Sequence, residues 1–254
     1  MTTRPVRAAI LPVLLLFGSL PAWGQGGPPM VTDDPDTPGD GKWEINLGNI
    51  GSRAFDGWTI AALDADINYG WGERVQLKID TPWNLIQNNG DWTNGLGTTL
   101  LGVKWRYFDD DSVGWTLSTY PQFAVNLDPG SIDRGAAVPG KSVLLPLEAA
   151  THWGPVDLDF ELGRNLVERH PDLQIYDEWI AGAIVAHSFT PQFEAMFEVR
   201  ERKSDVGSTT LLNLGSHYEL AKGLSLLTAV GREFGSDAMN RASFQYYLGI
   251  QILR

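Results

Sequence analysis

Leu63-Asp64-Ala65-Asp66-Ile67-Asn68-Tyr69-Gly70-Trp71-Gly72-Glu73-Arg74-Val75-Gln76-Leu77-Lys78-Ile79-Asp80 is the stretch that decides the fold. Apolar side chains take every second position: Leu63, Ala65, Ile67 and Tyr69, then Val75, Leu77 and Ile79. Asp64, Asp66, Asn68, Gln76 and Lys78 fill the places between. A period of two puts neighbouring side chains on opposite faces of a strand, whereas a helix would group them every third or fourth residue. Gly70-Trp71-Gly72-Glu73 is a short break, so the two runs form a hairpin with one apolar and one polar face.

The same alternation spreads in both directions. It runs through Trp43, Ile45 and Leu47; Val103, Trp105 and Tyr107; Trp115, Leu117 and Thr119; and Leu145, Leu147 and Ala149. It continues through Val156, Leu158, Phe160 and Leu162; Phe193, Ala195, Phe197 and Val199; Leu212 and Leu214; and Tyr246, Leu248, Ile250 and Ile252. Stretches 176–187 and 224–231 carry apolar residues at both parities, and their facing stays open at this point. The pattern gives about twelve strands over residues 42–254.

The connections sort by length. Long ones are expected near 52–57, 83–96, 128–140, 166–175, 203–208 and 234–240, and short ones at 70–73, 109–112, 153–155, 188–191 and 221–223. A Greek-key sandwich does not sort its loops by end. An all-β, transmembrane, antiparallel up-and-down barrel does, with tight periplasmic turns and longer outer loops. Trp71, Trp105, Tyr107, Trp115, Trp153 and Phe189 fall beside the short turns, where an interfacial girdle belongs.

Composition narrows the alternatives. The 254 residues are 43% hydrophobic and 20% charged, with no cysteine and a formal charge of −12. Disulfide scaffolds, thiolate metal sites and cysteine nucleophiles are excluded, and so acidic a chain is no nucleic-acid binder. Arg4 and Arg7 precede the apolar run Ala8–Phe17, and small residues stand at Ala22 and Gly24. This reads as a signal peptide over 1–24, cut after Gly24; its removal takes the formal charge to −14. Residues 25–41 form an extended segment rich in proline and aspartate. Asp33, Asp34, Asp36 and Asp40 do not match an EF-hand loop and read as solvated or loop-capping groups.

Gly27-Pro28-Pro29-Met30-Val31-Thr32-Asp33-Asp34-Pro35, followed by Gly41-Lys42-Trp43-Glu44 at the first strand, resembles the outer-membrane family named MetA-pathway of phenol degradation. The resemblance runs over the chain beyond the signal and implies a transporter-like outer-membrane barrel for small organic or aromatic solutes. The partners implied are outer-membrane lipid, the solute and the barrel-assembly machinery. The end of the chain departs from the pattern usual for such barrels, since Ile252 and Arg254 stand where aromatics are expected.

With the apolar set facing lipid, the polar set lines the lumen. Arg74, Lys78, Lys104 and Arg106 form a basic wall there. Glu148, His152, Asp157, Asp159, Glu161, Glu194 and Glu198 form an acidic wall. The turn at Gly154-Pro155 sets His152 against Asp157 and Glu148 against Glu161. Carboxylates so opposed repel by a few tenths to about 1 kcal/mol unless a cation or proton lies between them. Asp66 falls near Lys78 across its hairpin. Two arrangements follow: charged walls facing across an open pore, or the same charges pairing into a closed, salt-bridged lumen.

No Gly-x-Ser-x-Gly elbow occurs. His152 with Asp157 and Ser118 is the one combination resembling a base with its orienter, and His170 belongs to an outer loop. No catalytic residue, cofactor or metal site is expected, because the histidines are scattered. The competing classes are an anchoring barrel with a closed lumen and a soluble, lipocalin-like exported carrier. No oligomeric state follows from the sequence.

Overall fold

A computed structural model describes residues 27–88, 90–168, 177–205, 207–237 and 241–254. The expected signal peptide and His170 lie outside these residues. The first strands are β1 (Trp43–Arg53), β2 (Trp58–Gly70), β3 (Val75–Asn88), β4 (Asp91–Leu96) and β5 (Thr99–Asp110). Then come β6 (Trp115–Thr119), β7 (Gln122–Val125), the short helix α1 (Pro129–Asp133), β8 (Ser142–Trp153) and β9 (Val156–Val167). The chain continues through β10 (Glu178–Thr190), β11 (Phe193–Ser204), β12 (Gly207–Ala221), β13 (Leu224–Gly235) and β14 (Phe244–Leu253).

These segments make twelve staves. β4 and β5 both pair with β3 and form one stave, interrupted at Gly97-Thr98. β6 and β7 both lie between β5 and β8 and form another, interrupted at Tyr120-Pro121. Pro121 has no N–H to give the ladder, which explains that break. Every pairing is antiparallel, and β1 pairs with both β2 and β14, so the sheet closes on itself. Closure runs from Glu44↔Leu253 to Arg53↔Phe244 and is finished by reciprocal backbone bonds between Trp43 and Arg254 of 2.6 and 2.9 Å. The last strand therefore seals the barrel without a terminal aromatic.

The barrel is inside-out by the standard of a water-soluble protein. Asn46, Asp64, Asp66, Asn68, Lys104, Glu148, Asp159 and Glu198 are buried in the interior, while Leu77, Leu101, Val103, Leu147, Leu162, Leu214 and Leu248 are exposed on the outside. Water disfavours so broad an apolar belt; hydrocarbon accepts it. Aromatics rim both edges. At the short-turn end Trp43 packs on Tyr69 at 4.8 Å and Phe193 lies between Phe189 and Tyr218. At the other end Trp83, Trp179, Phe234 and Phe244 are exposed.

Two expected loops are instead mostly strand. Residues 83–88 and 91–96 pair as β3 and β4, in register from Trp83↔Leu96 to Asn88↔Asp91. At 203–208 the ladder runs on to Ser204↔Gly207. Beyond the apolar belt both faces are wet, so hydrophobic alternation fades while the backbone ladder continues. The long connection 126–141 carries α1, capped by Asp128, whose carboxylate accepts from the Gly130 N–H at 3.0 Å. The capping is what this residue type does best at a helix start.

Candidate solute pathway through the lumen

The interior is not left to the strands alone. Residues 27–41 come off the start of β1, pass Glu73 at the short-turn end and run up inside the barrel. Thr37 donates to the Glu73 carbonyl at 2.9 Å, and the Asp40 carboxylate accepts from the Gly72 N–H at 2.9 Å. Thr32, Asp34 and Met30 are buried there. This overturns the solvated reading of Asp33 and Asp34, whereas Asp36 keeps a half-exposed side chain while it pairs with Arg106. A segment of proline and aspartate has no apolar period to reveal its place, and the basic partners of Asp33, Asp34 and Asp36 lie on a strand 70 or more residues away.

Those partners are charged. Lys104 Nζ donates to Asp33 Oδ1 at 2.8 Å and to the Asp34 carbonyl, and it lies 3.6 Å from Glu148 Oε2. Arg106 reaches Asp36 at 3.4 Å and the Glu73 carbonyl at 2.7 Å. Glu161 accepts from Arg200 and, at 3.4 Å, from the Asp33 N–H. Glu198 accepts from Val31 N at 3.1 Å, Thr32 N at 2.6 Å and Asn213 Nδ2 at 3.0 Å. Hydrogen bonds to a charged group contribute about 1.5–3 kcal/mol each, so the segment is held firmly yet without a covalent bond.

Glycines in the wall make room for it. A side chain at Gly182 would meet Thr32, one at Gly215 would meet Met30, and one at Gly70 would meet the Gly39 carbonyl, all within 3 Å. Residues 27–32 fold back on themselves, with the Gly27 N–H donating to the Thr32 carbonyl at 2.8 Å. Met30 then rests on Ile184, Ala186, Met196, Leu227, Ala229 and Tyr247. Here the two ambiguous stretches find their facing. Ile184 and Ala186 on β10, and Leu227 and Ala229 on β13, point inward to meet Met30, and Val185 and Val230 point out.

The residues of the expected basic wall divide. Lys78 lies inside, 3.2 Å from Asp66, and Lys104 and Arg106 also point inward. Arg74 does not; it is exposed in the turn before β3, one residue short of the strand. Of the acidic wall, Glu148, Asp157, Asp159, Glu161, Glu194 and Glu198 are buried in the interior, whereas His152 is exposed at the end of β8. The register does set Glu148 opposite Glu161 and His152 opposite Asp157. The first pair avoids repulsion through Lys104 on one member and Arg200 on the other. Ser118 donates to Glu148, so it does not meet His152. Trp71, Trp105, Tyr107, Trp115, Trp153 and Phe189 all lie on the outer surface at the short-turn end, Trp153 being 84% exposed and Trp71 68%.

Sequence reasoning missed Tyr120, Arg200 and Asn213. Tyr120 is fully buried, stacked 4.7 Å from Lys104 Nζ and accepting from Gln76 Nε2 at 3.0 Å. Its position before Pro121 was the available signal. Beside β1–β3, near the loop end, a cavity of about 260 Å³ is lined by Ile50, Thr59, Asp64, Asp80, Asn84 and Thr98.

The crystal structure of the COG4313 outer membrane channel from Pseudomonas putida F1 superposes with a TM-score of 0.69 at 13% identity, over 87% of this chain and 98% of that one. The KdgM porin gives 0.59 at 10% identity over 82% and 98% of the two chains. The NanC porin gives 0.56 at 11% over 83% and 98%. The fold is that of outer-membrane channel barrels. No protein-family model matches the chain, and no relative is found among curated proteins.

Proposed function

We propose that this protein is an outer-membrane diffusion channel for small organic solutes, exported by a signal peptide over residues 1–24. Its lumen is narrowed by its own N-terminal segment. The observation that carries this reading is the pairing of an apolar outer belt with a polar interior that holds a removable occupant. Ion pairs from Lys104 and Arg106, with the Glu198 carboxylate accepting from Val31 and Thr32, keep residues 31–36 in place, and no covalent cross-link does. Residues that resemble the MetA-pathway of phenol degradation family, Val31-Thr32-Asp33-Asp34-Pro35, are the ones seated in the lumen. Passage is by diffusion or weak binding, with no catalytic step. The lipid bilayer and the assembly machinery are the partners this reading requires.

A second reading has an observation of its own. The dry pairs around Lys104 favour a lumen that stays closed, as in an anchoring barrel. Planar-bilayer recording of the refolded chain separates the two. A channel conducts, and Glu148→Gln shifts its reversal potential in a salt gradient because one lumen carboxylate is lost. Absent conductance in both proteins supports the anchoring barrel; conductance with an unchanged reversal potential removes Glu148 from the pathway.

A further inference from the structure

The strand register aligns the interior of β9–β14 into cross-strand rows. One row is Asp159, Ile184, Glu198 and Asn213 on four successive strands, all of them buried. The next row toward the short-turn end is Asp157, Ala186, Met196, Gly215, Ala229 and Tyr247. The first row is headed by carboxylates. The second is an apolar shelf with a glycine notch at its centre.

The tip of residues 30–32 fits both rows. Two backbone N–H donors, from Val31 and Thr32, converge on the Glu198 carboxylate, and the Met30 side chain lies along the shelf. Glu198 is fully buried, and without the tip Asn213 is its sole remaining hydrogen-bond donor of those that hold it. A buried carboxylate stripped of donors demands a replacement. An independent sign of the same demand is Asp159. It too is fully buried, and neither carboxylate oxygen has a hydrogen-bond partner among the described residues.

We propose that the N-terminal tip is a built-in stand-in for a diffusible ligand, a small amphipathic cation of the primary alkylammonium class. The ammonium donates to Glu198 and neutralises the Asp159 row. The apolar body, close to a methionine side chain in length, lies on Ile184, Ala186, Met196 and Leu227. An inorganic cation gains nothing from the shelf, and a carboxylate of the same length is repelled by Asp159 and Glu198 of the first row. This deepens the channel reading and rests on it for the route by which the ligand arrives, but binding itself requires no open pore.

Calorimetry on the refolded full chain in detergent tests it, with n-pentylammonium, n-pentanoate and 1-pentanol as probes and empty micelles as the blank. Met30→Ala weakens the competing tip, so pentylammonium binds that variant at least about tenfold more tightly than the parent. Adding Glu198→Gln reverses the gain by about tenfold or more. Gly215→Val fills the notch from the opposite strand and abolishes binding by a different route. Heat-modifiable gel migration confirms that each variant is folded; should Glu198→Gln fail, Asp159→Asn takes its place with a smaller loss expected. Pentanoate or pentanol binding as well as pentylammonium overturns the proposal, as does affinity indifferent to Met30→Ala or to the carboxylate variants. A protein that binds pentylammonium but never conducts defeats the channel reading alone, and one that conducts while ignoring pentylammonium defeats this inference alone.

Discussion

The two sides of the lumen solve the problem of a buried interior in different ways. On the β2–β8 side, charge is met by charge: Lys78 by Asp66, Lys104 by Asp33 and Glu148, Arg106 by Asp36. On the β9–β14 side the Arg200–Glu161 pair joins strand to strand, while the segment itself meets an apolar shelf under Met30 and the Glu198 carboxylate, which its backbone donors satisfy. The first arrangement ties the N-terminal segment down and costs dearly if one partner is lost. The second is softer, because a foreign molecule can supply an apolar body and a donor as well as the chain does. The segment is thus clamped by ion pairs on one wall and seated on an exchangeable surface on the other.

That contrast can be broken. Lys104→Met carries the largest expected effect, since it leaves Asp33, Asp34 and Glu148 sharing a dry space without their cation. Removing one partner of a buried pair costs about 3–5 kcal/mol, read as a lower urea midpoint of the refolded barrel in lipid vesicles. A variant as stable as the parent would mean that the two walls do not differ. Gly215→Val sharpens the comparison from the other side. Overpacking costs about 1–3 kcal/mol, relieved if Met30 leaves, so the midpoint falls less than for Lys104→Met while conductance rises. Asp128→Ala touches neither wall and is the smallest change. Ser131, ahead of Arg134 and the Gly130 N–H, holds the Asp128 carboxyl below its ordinary value. The cap is therefore intact at neutral pH and lost only as acid is added through that lowered value. The alanine variant keeps the parent's urea midpoint but is cut faster by trypsin after Arg134, whose guanidinium lies 3.1 Å from Asp128.

The fold was legible because a closed barrel repeats one local rule. Leu77 and Lys78 declare opposite faces by adjacency alone, and each hairpin from Gly70 to Gly223 says the same again. The site was legible only where it obeyed that rule. Glu148, Asp159 and Glu198 fall on polar parities and are inside; Arg74 and His152 sit on those parities too, but at strand ends where the turn exposes them. Ile184 and Leu227 could not be placed from their own neighbourhoods, because the side chain they meet belongs to Met30, more than 150 residues earlier in the chain. The N-terminal segment was hardest of all. Its aspartates look like solvent-seeking groups until Lys104 and Arg106 are folded around them.

The dryness of the Lys104 cluster has a consequence for life at a cell's boundary. Mobile ions weaken attractions only where they can come between the charges, and the side chains of Lys104 and Glu148 are 2% and 0% exposed. An envelope carried from fresh water into brine would loosen the half-exposed Arg134–Asp128 pair on its outer face and leave the inner clasp untouched. Changes in outside salt, which such a barrel meets daily, therefore pass by its inner clasp unfelt.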